Sequence, residues 1–245
     1  MTTERAKIRL FVDAPLGAAQ SVALNRDQAN YLFNVMRLEN GARIALFNSR
    51  DGEWTAEVVQ SNKRGGILLC QSQTLPLQVP PDLWLLFAPI KKARTDFIVE
   101  KAAEMSAARI MPVQTRFTNA DRIRQDRLQA HAIEAAEQCG GTFVPEVTEL
   151  AKLEDVLADW PADRHILFCD ERLSGRSSAL PGSVAGGSPW AILIGPEGGF
   201  APEEQDRLRR MPSVVPVSLG PRILRADTAA VAALTLWQLA LGDWR

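Results

Sequence analysis

Two kinds of apolar pattern divide this chain, and they change over near residue 80. In the first 75 residues the apolar runs are short and rich in β-branched side chains: IRLFV (8–12), RIALFN (43–48), WTAEVVQ (54–60) and GILLCQ (66–71). Runs of that length and composition predict strands. Asp51-Gly52, between the second and third, is a common hairpin turn. RDQANYLFNVMRL (26–38) instead spaces Leu32, Val35 and Met36 three and four apart or next to one another, which predicts one short helix. Strands around a single helix predict a small β-barrel over residues 1–73. TLPLQVPPD (74–82) carries three prolines and reads as a linker.

From residue 83 strands and helices alternate. DLWLLFAPI, ARIMPVQ, RHILFCDE, WAILIG and VVPVSLG are strand-like. Between and after them, TDFIVEKAAEM, a stretch within 121–139, LEDVLADW, PEEQDRLRRM and RADTAAVAALTLWQLALGDW are helix-like. Strands apolar on both faces, separated by helices, predict an α/β domain with a parallel sheet over 83–245. Pro202 stands at the start of its helix, where a missing N–H costs nothing. LSGRSSALPGSVAGGSP (173–189) reads as an exposed, mobile loop.

Composition and charge narrow the function classes. The chain of 245 residues has a net charge of −1, which argues against a general nucleic-acid coating protein. The charge is uneven, however. Nine Lys/Arg meet seven Asp/Glu in residues 1–75 and nine meet five in 91–127, whereas ten meet sixteen in 128–245. The first half is thus where a polyanion could be met locally, although charge alone favours ordinary solvated faces. Three cysteines, Cys70, Cys139 and Cys169, are too few and too scattered for a disulfide framework, so a reducing, cytoplasmic setting is expected. His131 and His165 have no CxxC or HxxxH company, so no metal site is expected. The start lacks a signal-peptide core, and no stretch is long and apolar enough to predict a membrane span.

The candidate chemistry lies in two turns that follow apolar runs, ILIGPEGGF (192–200) and VSLGPRILRADTAA (217–230). In open α/β sheets ligands bind beyond the carboxyl ends of strands. Gly195, Gly198 and Gly199 strip side chains from one such end, so backbone groups can touch a ligand. GPEGGF matches neither the GxxxxGK phosphate loop nor GxGxxG, and Glu197 would repel a phosphate. A carboxylate beside bare backbone suits a neutral or cationic ligand, such as a nucleoside bearing a positive group. In the second turn Arg222 and Arg225 make a positive locus in an acidic part of the chain, suited to an RNA phosphate or to negative charge on a reacting base. Asp227 is read as the N-cap of the last helix.

Together, IGPEGG and LGPRILRADTA resemble the SPOUT class of methyltransferases, specifically the bacterial ribosomal small-subunit methyltransferase E family. NYLFNVMRLENG (30–41) and IEAAEQCGG (133–141) extend the resemblance over nearly the whole chain. The chain differs from the commoner pattern at Gly141, where Arg is usual, at Arg225-Ala226-Asp227-Thr228, and in KKARTDF (91–97). The resemblance implies a PUA-like N-terminal barrel that grips RNA and a C-terminal domain tied in a deep trefoil knot, an exception to the usual unknotted topology. It implies a homodimer that uses S-adenosylmethionine to methylate N3 of one uridine in helix 44 of 16S rRNA, within the small ribosomal subunit. By motif match the cofactor would lie against Leu193, Ile194, Gly195, Pro196, Gly198, Leu219, Gly220, Ile223, Leu224 and Thr228. Arg225 is then the stabiliser of the N3 anion, with Arg222 beside it, and Glu197, Asp227 or a water the proton acceptor.

Arg5, Arg9, Arg37, Lys91, Lys92, Arg94 and Arg116 are the candidate phosphate contacts, each blind to sequence on its own. Phe117 is a candidate for stacking on a base, while Trp54 is assigned to the core. The last helix is apolar nearly all round, through Val231, Leu234, Leu236, Trp237, Leu239 and Leu241, which agrees with a partner covering one face. Two rival classes are an RNA-binding module that holds the cofactor without turnover and a phosphate-binding α/β enzyme; the missing Lys-Ser/Thr loop argues against the second.

Overall fold

A computed structural model describes residues 6–62, 65–120, 122–175 and 187–244. Arg5 and most of the 173–189 loop, from 176 to 186, lie outside the described residues. The chain forms two compact units. The first comprises Met1–Val79 and Ala136–Val144, the second Pro80–Ala135 and Pro145–Arg245.

In the first unit β1 (Arg9–Phe11), β2 (Ser21–Leu24), β3 (Arg43–Phe47), β4 (Glu53–Asn62) and β5 (Gly65–Leu75) form one sheet in the order β1-β3-β4-β5-β2. The β1–β3 pairing is parallel and the others antiparallel. β2 was not among the predicted strands: SVAL offers only Val22 and Leu24 to the core, between exposed Ser21 and Ala23. Every strand contributes to a single core around Leu32. Trp54 packs against that core, and its indole N–H donates to the Asp51 carbonyl at 2.8 Å.

The predicted helix departs from expectation. One α-turn, α1 (Arg26–Ala29), is capped reciprocally by Asn25 and Gln28 and then widens into a π-helical segment, Asn30–Val35. The Met36 N–H accordingly donates five residues back, to the Tyr31 carbonyl at 2.9 Å. The wider turn carries Val35 and Met36 off the face of Leu32. They are 62% and 40% exposed, whereas Leu32 is buried.

The β3–β4 turn is a side-chain network. The Asp51 carboxylate accepts from the Leu16 N–H at 2.9 Å and the Asn48 amide at 2.7 Å. The Asn48 amide, followed by the Leu16 N–H, holds the Asp51 carboxyl below its usual range. Such a group adds stability above its unfolded pKa of about 3.9 and loses it as pH falls through its lowered folded value. Asp51→Asn is therefore expected to lower the urea midpoint at pH 6, with the gap to wild type narrowing at pH 3. A gap that stays constant with pH would contradict this.

Arg9, expected on RNA, is instead built into this unit. Its guanidinium pairs with buried Glu53 at 2.6 Å and donates to the carbonyls of Ala136, Glu137 and Gly141 at 2.5, 2.8 and 2.6 Å. It also covers the Phe47 ring, 4.5 Å from the centroid. With those bonds made and only 7% of the side chain exposed, it has no head group to offer a phosphate. The same segment holds the predicted linker: buried Thr142 accepts from the Gln78 N–H at 2.8 Å and donates to the Pro76 carbonyl at 3.3 Å. Residues 76–79 are thus tied to the first unit, and β5 runs on to Leu75.

The second unit alternates as the pattern predicted. Its strands are β6 (Leu83–Phe87), β7 (Arg109–Gln114), the short β8 (Glu146–Val147) and β9 (Ala151–Lys152), β10 (His165–Cys169), β11 (Trp190–Ile194) and β12 (Val214–Val217). Its helices are α2 (Lys92–Glu104), α3 (Gln125–Cys139, grouped with this unit as far as Ala135), α4 (Leu153–Ala158), α5 (Pro202–Arg210) and α6 (Ala226–Ala240). The sheet is parallel, in the order β12-β10-β11-β6-β7-β8, with β9 also beside β7. β11 is buried at all five positions, as a strand covered on both faces must be. It lies between β6 and β10, and α6 returns after β12 to pack on β11 and α2. The carboxyl ends of β10, β11 and β12 and the starts of α2 and α6 converge on one cavity.

Candidate active site

The turn after β11 is shaped by packing. A Cβ on Gly195 would lie 2.6 Å from the buried Phe200 ring, one on Gly198 3.3 Å from Phe117, and one on Gly199 2.4 Å from a Glu171 carboxylate oxygen. Gly199 also takes φ +69°, which an L side chain rarely adopts. These glycines therefore let neighbours approach, rather than simply baring backbone to a ligand. Gly220, in the second turn, is different. It has φ +116°, and among the described residues nothing lies within 4 Å of its missing Cβ, unlike the other three. Its carbonyl accepts from the Gly175 N–H at 3.1 Å and its N–H donates to Ser218 Oγ at 3.3 Å.

The cavity between these turns has a volume of about 490 Å³, within the ~300–1,000 Å³ usual for small-molecule sites. Of the cofactor candidates, Ile194, Gly195, Pro196, Leu219, Gly220, Ile223 and Leu224 line it. Leu193, Gly198 and Thr228 do not. Strand alternation turns Leu193 into the core with Phe168, Gly198 backs onto Phe117, and the Thr228 N–H is bonded to Asp227 Oδ1 at 2.8 Å. Among the catalytic candidates, Glu197, Arg222 and Arg225 line the cavity. Asp227 stands just off it, in the first turn of α6; the N-cap position belongs to Arg225, not Asp227, because the helix begins at Ala226.

Two cations expected on RNA phosphates, Lys91 and Arg94, belong to the cavity wall. Arg94 Nη1 lies 3.5 Å from Asp227 Oδ2 and 3.8 Å from Glu197 Oε1. Arg37, Lys92 and Arg116 are exposed, and Arg37 has φ +56°. Phe117 is 45% exposed, as a stacking residue must be, though it also flanks Gly198.

One wall escaped the sequence reading. The end of β10 contributes Cys169, Asp170 and Glu171, followed by Ser174. Buried Asp170 is fixed by the Arg172 N–H at 3.0 Å and by the Arg209 guanidinium. Desolvation pushes the Cys169 thiol up to about 12, so it is protonated at pH 7. The signal was available: RHILFCDE ends in two acids, and every carboxyl end of a parallel strand is a candidate. No group of His, Cys, Asp and Glu suited to a metal occurs among the described residues, and none of their helices is long and apolar enough to cross a membrane.

Comparison with known proteins gives this geometry a context. The family described as an RNA methyltransferase domain matches residues 78–238, and the one described as an RNA methyltransferase PUA domain matches 24–68. The chain is 28% identical over 228 residues to the ribosomal RNA small subunit methyltransferase E of Rickettsia conorii, covering 92% of this chain and 93% of that one. Its structure resembles that of a ribosomal RNA small subunit methyltransferase E from Neisseria gonorrhoeae bound to S-adenosyl methionine. That match has a TM-score of 0.87 and 25% identity, covering 97% of this chain and 99% of the other. A putative methyltransferase from Legionella pneumophila, also in complex with the cofactor, matches with TM-score 0.86 and 28% identity over 96% of this chain and 98% of its own.

Proposed function

Because this chain belongs to the family of RNA methyltransferase domains, we propose that it methylates N3 of a uridine in helix 44 of 16S rRNA, in the small ribosomal subunit. The methyl donor in this reading is S-adenosylmethionine. The observation that carries the reading is the cavity itself, built at strand ends from the two turns at 194–199 and 218–226. Its composition suits that donor. Ile194, Leu219, Ile223, Leu224, Ala226 and Ala229 offer apolar surface to an adenine ring, and Glu171 and Glu197 offer carboxylates to a cationic ligand. At Gly220 no described residue lies within 4 Å of the missing Cβ, which leaves its backbone able to meet a ligand. When bound, the donor supplies an electrophilic methyl group on a sulfonium.

The chain's own residues then have three tasks. They hold donor and base in line, which converts a bimolecular reaction into a unimolecular one. Glu197, Asp227 or a water takes the N3 proton. Arg225, which lines the cavity, stabilises the anion left behind. N3 lies on the pairing edge, so the target base must be unpaired or flipped out. Arg37, Lys92 and Arg116 are the exposed cations that remain as phosphate contacts.

The protein works as a homodimer in this reading. One face of α6 is buried through Ala226, Ala230, Ala233, Leu234 and Trp237, while Leu236 and Leu239 are 45% and 57% exposed in the single chain. The knotted connectivity and a cytoplasmic location belong to the same reading.

The test is mass spectrometry of nucleosides. Purified protein is incubated with S-adenosylmethionine and small subunits lacking the modification, and the rRNA is digested. A new 3-methyluridine peak is expected. Cofactor binding without any methylated nucleoside would overturn this reading in favour of a binding module.

A further inference from the structure

The start of α2 runs against its own electrostatics. A helix N-terminus carries partial positive charge and favours acids. α2 nevertheless opens with Lys91 at its N-cap and Lys92 and Arg94 in its first turn, with no acid there and no side-chain cap. Local arrangements that oppose stability concentrate at functional sites. Arg94 is the sharpest instance. Among the described residues its Nη1 is buried without a hydrogen-bond partner, in a side chain that is 30% exposed, and two carboxylates stand 3.5 and 3.8 Å away. Those distances allow attraction but are too long for hydrogen bonds. A buried N–H donor left unsatisfied is unfavourable until an acceptor arrives. Arg94 also lines the cavity, where a ligand oxygen can serve as that acceptor.

We infer that Arg94 is a second catalytic cation, donating a hydrogen bond from Nη1 to a carbonyl oxygen of the target base as its N3 anion forms. This rests on the proposed uridine-N3 reaction and adds to it a role for a residue otherwise placed on a phosphate. The chemistry fits the neighbours. Negative charge on a deprotonated uracil spreads over N3 and its two flanking carbonyl oxygens, so two cations, Arg94 and Arg225, have separate acceptors. The N3–H proton passes to a carboxylate oxygen of Asp227 or Glu197. The N3 lone pair forms the new N–C bond, and sulfur keeps the electrons of the C–S bond that breaks. Arg94 thus lies beside both the group that loses the proton and the acids able to receive it.

The test compares wild type, Arg94→Met and Arg94→Lys on small subunits carrying uridine or 5-fluorouridine at the target. The fluorinated base has a more acidic N3–H and needs less stabilisation of its anion. Arg94→Met is expected to lower kcat on uridine about 10²–10³-fold, the effect of removing one oxyanion donor. On 5-fluorouridine the deficit is expected to shrink at least several-fold, and Arg94→Lys to recover part of the activity. Calorimetric affinity for S-adenosylmethionine and the thermal midpoint are expected to stay close to wild type, which separates this role from a merely structural ion pair. An equal deficit on both bases, an unchanged kcat or a parallel loss of cofactor affinity overturns the inference. If wild type itself methylates neither substrate, the uridine-N3 reading fails first and the inference falls with it.

Discussion

Arg225→Ala is expected to lower turnover about 10²–10³-fold, as removal of one donor from an oxyanion site does, while affinity for S-adenosylmethionine stays nearly unchanged. Arg225 is the N-cap residue of α6, with φ −67° and ψ 154°, and its side chain makes no capping bond. Its carbonyl already serves the helix by accepting from the Ala229 N–H at 2.7 Å. The backbone thus fixes the residue, which lines the cavity, without using its side chain as a cap. An interaction made only in the transition state lowers kcat and kcat/KM together, without a rise in KM. Single-turnover methylation of small subunits measures this directly. Turnover at the wild-type level would remove Arg225 from the mechanism. A rise in KM at constant kcat would make it an ordinary RNA contact.

Arg9→Met is expected to destabilise the first unit by about 3–5 kcal/mol, the usual result of stripping one partner from a buried ion pair. Glu53 is 1% exposed, and its other oxygen already accepts from Thr74 Oγ1 at 2.7 Å. Methionine can still cover the Phe47 ring, but it leaves a buried carboxylate without its cation and three carbonyls without their donor. Arg9→Met/Glu53→Gln is expected to recover much of the loss, because the uncompensated charge is gone. Urea unfolding of the two variants against wild type measures both quantities. A single-variant loss under about 1 kcal/mol, the range of exposed pairs, would mean that the pair is screened by solvent.

The sequence by itself determined most of the elements and the place of two turns that line the cavity. β6, β7, β10, β11 and β12 follow from short apolar runs suited to strands covered on both faces, and α2, α5 and α6 from the helix-like stretches between and after them, with Pro202 marking the start of α5. That the cavity lies at 194–199 and 218–226 follows from glycine-proline corners at the carboxyl ends of two such strands. These are local properties, set by periodicity and backbone conformation. Partners distant in the chain were decided only by tertiary structure. Arg9 read as a surface cation because Glu53 and residues 136–141 are far from it in sequence. Arg94 read as an RNA contact because Glu197 and Asp227 reach it only after β11 enters the sheet beside β6 and α6 packs on α2. The π-helical turn at Asn30–Val35 escaped the three-and-four spacing because the register of its hydrogen bonds differs from that of an α-helix. A charged side chain's role depends on what neutralises it, and that neighbour is chosen by the fold.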